Sequence, residues 1–267
     1  METLLKSSNY SPVVDYVFSN FIREYDIRKA NISVLYSLGI ISKDEYNFLF
    51  EADRMERQRT IGIMQLKDNT LAIKLADGIM DYKRKFFGTN DIKQKDVLSI
   101  KNDAVFLLNR VPSVTKFGEV VEFVCKNTYS SYIRLGQRNK VEIYYGFNKI
   151  SGDEVIDTKG LGLSKAFHKD YMLDFIGYIL NTVESESIES AIGILLNFYR
   201  DYVDLKLDIG YYREFNSYSK FLFKNGYGVM ALKNTPQNKQ GLDIRYNIGI
   251  LKDLYKHLSS EYFIRAK

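Results

Sequence analysis

Two apolar runs, Val97-Leu98-Ser99-Ile100 and Ala104-Val105-Phe106-Leu107-Leu108, flank three polar residues, Lys101-Asn102-Asp103. The runs are too short for helices that bury a face, and three polar residues suffice for a tight reversal. The stretch therefore reads as a strand–turn–strand. An antiparallel pair this apolar cannot stand alone in water; it needs more strands beside it or helices over it. The rest of the chain supplies both. Residues 21–27 (FIREYDI) have strand composition, and alternating stretches recur at 120–124, 131–135, 141–145 and 154–157.

Helical patterns fill most of the remainder. Residues 29–38 read as the start of a helix. Over 42–53, Ser42 is placed as an N-cap with Glu45 three residues on, a capping box, and Tyr46, Leu49 and Phe50 follow on one stripe. Helix is expected again over 54–64 and 71–87. From about residue 165 the chain reads as mainly helical, at 171–180, 187–202, 216–223 and 244–258. The order strand, helices, strand pair, strands, helices gives an α+β class with a helical appendage after about residue 165.

Composition narrows the functions. A chain of 267 residues makes one large domain or two small ones. Its one cysteine, Cys125, and two histidines, His168 and His257, exclude a disulfide framework, a cysteine-built zinc site and a histidine cage. The histidines read as surface residues and Cys125 as a small buried side chain. No apolar run nears the ~20 residues of a membrane span. Residues 1–10 lack the basic-then-apolar order of a secretory signal, so a reducing, cytoplasmic setting is expected, with no membrane partner. A net charge of +5 permits a polyanionic partner without requiring one.

Three segments could carry chemistry. Asp26 ends a strand just before a helix, where a carboxylate can project into a cleft; the same position also suits an ordinary turn or cap residue. Asp103 sits at the tip of the strand–turn–strand, held by apolar arms, and there the bland alternative is a β-turn Asn-Asp. Two such carboxylates brought together from separate strands can bind divalent ions for in-line phosphoryl or nucleotidyl transfer. Arg54 and Gln58, at i and i+4, share a basic helix face that could grip a triphosphate or simply face solvent.

In order and spacing these segments resemble the palm and thumb of family B DNA polymerases. The first palm motif of that family, in its variant Asp-Ile-x-x-Ala-Tyr-Pro-x-x-Leu, compares with Asp26-Ile27-Arg28-Lys29-Ala30-Asn31-Ile32-Ser33-Val34-Leu35. Its fingers motif, Lys-x-x-x-Asn-Ser-x-Tyr-Gly, compares with Arg54 through Gln58-Arg59-Thr60-Ile61-Gly62. The second palm motif, Tyr-x-Asp-Thr-Asp-Ser, keeps only its second aspartate in Ile100-Lys101-Asn102-Asp103-Ala104. Downstream, Lys126-Asn127-Thr128-Tyr129 resembles the Lys-Lys-x-Tyr element, Thr158-Lys159-Gly160 the later Lys-Gly pair, and Asp243 to Leu254 the last thumb helix.

The resemblance implies an antiparallel-sheet polymerase palm (1–35 and 65–165), reduced helical fingers (36–64) and a helical thumb-like domain (166–267). It implies template-directed nucleotidyl transfer with Mg²⁺ or Mn²⁺ held by Asp26, the Ile27 carbonyl and Asp103. Ile27, Asn31, Arg54 and Gln58 would meet the nucleoside triphosphate, and Lys126, Tyr129 and Lys159 the primer–template. Asn31 stands where the family has the tyrosine that blocks a ribose 2′-hydroxyl, and Lys101 where it has another aspartate. Only 25 residues precede Asp26, too few for a proofreading exonuclease, so other subunits would supply missing domains. Two further readings stand beside this one. One is a polymerase-like scaffold that binds nucleic acid or assembles a replication or transcription complex without catalysis. The other is a metal-dependent nuclease built on Asp103, Glu122 and Lys126, although its acid and lysine stand four apart where two is usual.

Overall fold

Alternation along β3 (Ile22–Ile27) puts Ile22, Glu24 and Asp26 on one face and Tyr25 and Ile27 on the other. The computed structural model describes residues 9–10, 14–135, 141–147, 152–159, 169–208, 211–216, 220–223, 242–243 and 245–266. They form an α+β fold in two units. One takes residues 20–129 with Asn9 and Tyr10; the other takes 14–19 with the described residues from 130 onward.

In the first unit β3 lies inside a six-stranded sheet. Its neighbours are β1 (Asn9–Tyr10), β4 (Val97–Lys101), β5 (Ala104–Leu108), β6 (Lys116–Phe117) and β7 (Val121–Tyr129), in the order β1-β4-β5-β3-β7-β6. Every pairing is antiparallel. Four helices connect β3 to β4: α1 (Ala30–Ser37), α2 (Lys43–Glu51), α3 (Arg54–Lys67) and α4 (Leu71–Thr89). Ser42 caps α2 as its sequence suggests, accepting from the Glu45 N–H while Glu45 accepts from the Ser42 N–H at 2.7 Å. The aromatic end of α4 covers the Tyr25 and Ile27 face: Phe86 stacks on Phe123 with centroids 4.1 Å apart and tilts against Tyr25 at 5.7 Å. A second core joins α1 to α4 through Val34, Leu35, Tyr46, Ile61 and Leu75.

The second unit holds a four-stranded sheet, β10-β9-β8-β2, made of β2 (Tyr16–Val17), β8 (Ser131–Leu135), β9 (Val141–Phe147) and β10 (Glu154–Lys159). Its core joins Ile133, Leu135 and Ile143 of this sheet to Ile176, Leu195 and Leu254 of α5 (Lys169–Ser185), α6 (Ile188–Val203) and α7 (Arg245–Arg265). A small antiparallel sheet, β12-β11-β13, joins β11 (Arg213–Asn216), β12 (Lys220–Phe223) and β13 (Leu242–Asp243). Among the described residues no helix is long and apolar enough to cross a membrane.

Several expectations change here. The division falls at 129/130, not at 165/166, because β8 to β10 share a core with the C-terminal helices. The helix expected over 216–223 is replaced, where described, by strand: Lys220–Phe223 pairs with Arg213–Asn216. A three-residue apolar run, Phe221-Leu222-Phe223, has too little length for its period to tell helix from strand. His257 is 6% exposed, its ring nitrogen 3.2 Å from the Arg134 carbonyl, so it is an interior residue. Cys125 is exposed, because the apolar alternation of β7 stops at Phe123. His168, Gly160 and Ile244 lie outside the described residues.

Candidate functional site

The site grows from the middle of the first unit's sheet. β5 lies beside β3, and Asp103 occupies the turn that feeds β5, so sheet order brings Asp103 to the end of β3 that carries Asp26. The two carboxyls lie within hydrogen-bonding reach. Burial first, then the Asp103 charge and a shared proton, push Asp26 up to about 7; Lys126 pulls the other way. The Asp26 Oδ1 is buried and receives no hydrogen bond. Two acids sharing one site with an orphaned oxygen are the donor set of a hard divalent cation, so the residues fit Mg²⁺ or Mn²⁺. No group of three or more histidine, cysteine or acidic side chains suited to a metal occurs among the described residues. Further ligands would therefore come from backbone, water or substrate. The Ile27 carbonyl, at the end of β3 next to Asp26, would be one such source.

Lys126 reaches this pair through an irregularity of β7. Tyr25 faces Cys125 and Glu24 faces Asn127, so Lys126 is the extra residue of a bulge, and it is exposed. Bulges re-aim side chains in this way. Next to it Glu24 is buried and accepts from Asn127 Nδ2 at 2.8 Å and from the Tyr129 hydroxyl at 2.9 Å. Tyr129 is only 1% exposed and lies in the interior beside Glu24, away from any surface a nucleic-acid backbone could reach. Lys159 belongs to the second unit, on β10, and pairs with Asp157 at 2.7 Å.

A cavity of about 560 Å³ opens beside Asp103. Asn31, Arg54 and Gln58 line it, as do three cations not singled out from the sequence: Lys29, Arg57 and Lys83. The first turn of α1 faces it through Ala30, Asn31 and Ile32, and that helix has no side-chain cap. Free N–H groups and the helix dipole favour an anion there. Lys29 and Asn102, both lining the cavity, hold left-handed backbone with φ of 48° and 53°, a strain that concentrates at functional sites. Lys29 Nζ donates to the Phe50 carbonyl and Arg57 to the Ala52 carbonyl, so both fasten the C-terminal end of α2. Arg54 is exposed at the cavity wall.

Lys83 is fully buried on α4 and donates to the Asn102 carbonyl at 2.6 Å; burial lowers it to about 8 while Asp103 raises it. A sequence signal for it exists: Lys83 follows Leu75 and Ile79 at four-residue steps on the stripe that ends in Phe86 and Phe87, where an apolar residue is due. Glu122, the second acid of a nuclease arrangement, instead faces Arg28 at 3.6 Å and Lys116 at 3.7 Å.

None of the curated proteins matches the chain. Its sheet, its carboxylate pair and its cation-lined cavity all lie within the span covered by one family match, residues 1–259, and the chain belongs to that family, the bacteriophage PBS1 gene 130 protein family.

Proposed function

We propose that the first unit is a reduced, family B-like polymerase palm that performs template-directed nucleotidyl transfer on a primer–template. The observation that carries this reading is the meeting of Asp26 and Asp103, from a strand end and a neighbouring hairpin tip, with Asp103 itself lining a cation-rich cavity of about 560 Å³. That volume falls within the range of small-molecule sites. The second unit, with three helices among its described residues, follows the first in the chain as a thumb would.

Each residue has a task in this reading. Asp26, Asp103 and the Ile27 carbonyl hold the divalent cation. A cation bound there supplies Lewis-acid polarisation of the attacking hydroxyl and of the phosphoryl oxygens. The open α1 turn and Arg54 receive the triphosphate, and arginine's planar fork suits bidentate phosphate contact. Gln58 extends the same wall one turn along α3. Asn31, in the first turn of α1, meets the sugar; as a small amide it leaves room for a ribose hydroxyl. Lys126, exposed beside the carboxylates, meets the backbone phosphates without reading sequence.

The test is extension of a labelled primer–template with Mg²⁺ or Mn²⁺. Asp26→Asn and Asp103→Asn are each expected to lower extension by at least ~100-fold while duplex binding persists. Arg54→Ala should raise the nucleotide requirement about 10-fold or more, the loss of one charge-assisted contact, with duplex affinity unchanged. Extension that survives both aspartate changes refutes the reading. Duplex binding with no extension by the parent chain would leave a nucleic-acid-binding subunit.

A further inference from the structure

We propose that Lys83 is a positioning residue, a built-in counter-cation that anchors the Asn102–Asp103 turn to α4 and so holds the carboxylate pair together before any metal arrives. The inference rests on reading Asp26 and Asp103 as cation ligands. Lys83 itself is named by geometry alone.

A lysine with no exposed surface is rare unless its ammonium has a partner that repays burial. The partner here is not a carboxylate but a backbone carbonyl, that of Asn102, at 2.6 Å. Asn102 holds a left-handed φ of 53°, which asparagine tolerates in a tight turn, and this turn aims its carbonyl at α4. Its N–H is received by the Asn9 side chain at 3.2 Å, so the residue is held from both sides. One residue further on stands Asp103, close enough for its charge to be felt at Lys83. With Lys126 beside Asp26, the pair of acids faces two lysines. Lys83, bonded to the Asn102 carbonyl, and Lys126, beside Asp26, place positive charge next to the two acids and ease their repulsion, so the acids can stay together without a metal. Lys83 therefore acts through Asp103 and not on substrate. Because its charge opposes that of an incoming cation, it also weakens divalent binding, which keeps exchange of the ion easy.

A merely structural lysine would, when lost, loosen the turn and weaken metal binding together. The proposed role predicts opposite movements. Hydrogen exchange of amides 101–104 and Mn²⁺ titration by paramagnetic resonance are read on the full chain without nucleotide. In the metal-free parent, amides 101–104 should exchange more slowly than those of the 118–120 turn. Lys83→Met, of similar length but uncharged, should speed exchange at 101–104 at least ~10-fold and tighten Mn²⁺ binding at least ~3-fold at pH 7. Lys83→Arg, which keeps donor and charge, should restore the parent's values. Unchanged exchange in Lys83→Met overturns the proposal, as does Mn²⁺ binding that weakens. Should Lys83→Met fail to fold, the parent decides: a freely exchanging tip in metal-free protein overturns the anchor. A parent that exchanges slowly at the tip yet binds no Mn²⁺ removes the functional reading and leaves the anchor standing.

Discussion

A carboxylate buried beside another carboxylate holds its place only by keeping a proton, finding an ammonium or sharing a cation. Asp26 ionises near 3.8 in an unfolded chain and near 7 in the folded one. Between those values the folded state keeps a proton that the unfolded state has lost, so the contribution of Asp26 to stability is most favourable below about 4 and falls as pH rises to about 7. Asp26→Asn removes that penalty, and the amide introduced can donate to Asp103. In chelator at pH 8 the variant should melt above the parent by about 2–4 °C for each kcal/mol relieved. The gain should vanish near pH 4, and Mg²⁺ should stabilise the parent alone; scanning calorimetry at the two pH values checks all three. Asp26 and Asp103 are visible in the sequence because short apolar runs announce the strands that hold them. Lys83 is passed over because Tyr82, Arg84 and Lys85 around it read as a polar helix surface, although its place on the Leu75–Ile79–Phe87 stripe marks it. His257 is misjudged because its burial depends on partners far away in the chain, such as the Arg134 carbonyl, and Cys125 because the apolar alternation of β7 ends two residues before it.

At the scale of elements, α1 and α4 approach closely because Gly78 has no side chain. A Cβ built on Gly78 would lie 2.5 Å from Val34 Cγ1, and Val34 is fully buried and β-branched, so it cannot give way. Gly78→Ala should therefore destabilise by about 1–2 kcal/mol, an overpacking cost of ~1–3 partly offset by better helix propensity. Gly62 on α3 is the control: nothing lies within 4 Å of its Cβ position, and Gly62→Ala should stabilise by about 0.5–1 kcal/mol. Urea unfolding of both variants reads the difference, and equal signs would mean that α1 and α4 do not pack as described. Of the first unit's described elements, α2 and the strand pair carry the fullest signals in sequence, the Ser42–Glu45 box with its apolar stripe and the polar tip between apolar arms; the other helices are expected from sequence with no cap residue singled out. The bulge that re-aims Lys126 carries none. It arises from a register shift opposite Glu24 and Tyr25, and register belongs to two strands at once, far apart in the chain.

On the scale of the whole molecule, the chain enters the second unit before it has finished the first. Residues 14–19 leave the first unit, place β2 against β8, and return to begin β3. Short as it is, this visit matters to the second unit. Arg134, whose side chain is 15% exposed, pairs with Asp15 at 2.5 Å, and its N–H donates to the Asp15 carbonyl at 2.7 Å. Phe18 joins the core, and Tyr16 lies against Phe18 and His257 with ring centroids 5.2 Å away in each case. A piece comprising residues 130–267 would lack all of these. Losing one buried phenylalanine costs ~3–5 kcal/mol, and a mostly buried arginine left without its carboxylate adds to that cost. Such losses approach the whole stability of an ordinary domain. The 130–267 piece should therefore show no cooperative melting transition by circular dichroism. Tethering residues 14–19 to it by a flexible linker should restore one, and Asp15→Ala with Phe18→Ala in the tethered chain should abolish it again. Equal melting with and without residues 14–19 would show that β2 is an ornament on the second unit. It would also show that the boundary near residue 130 is a simple cut in the chain.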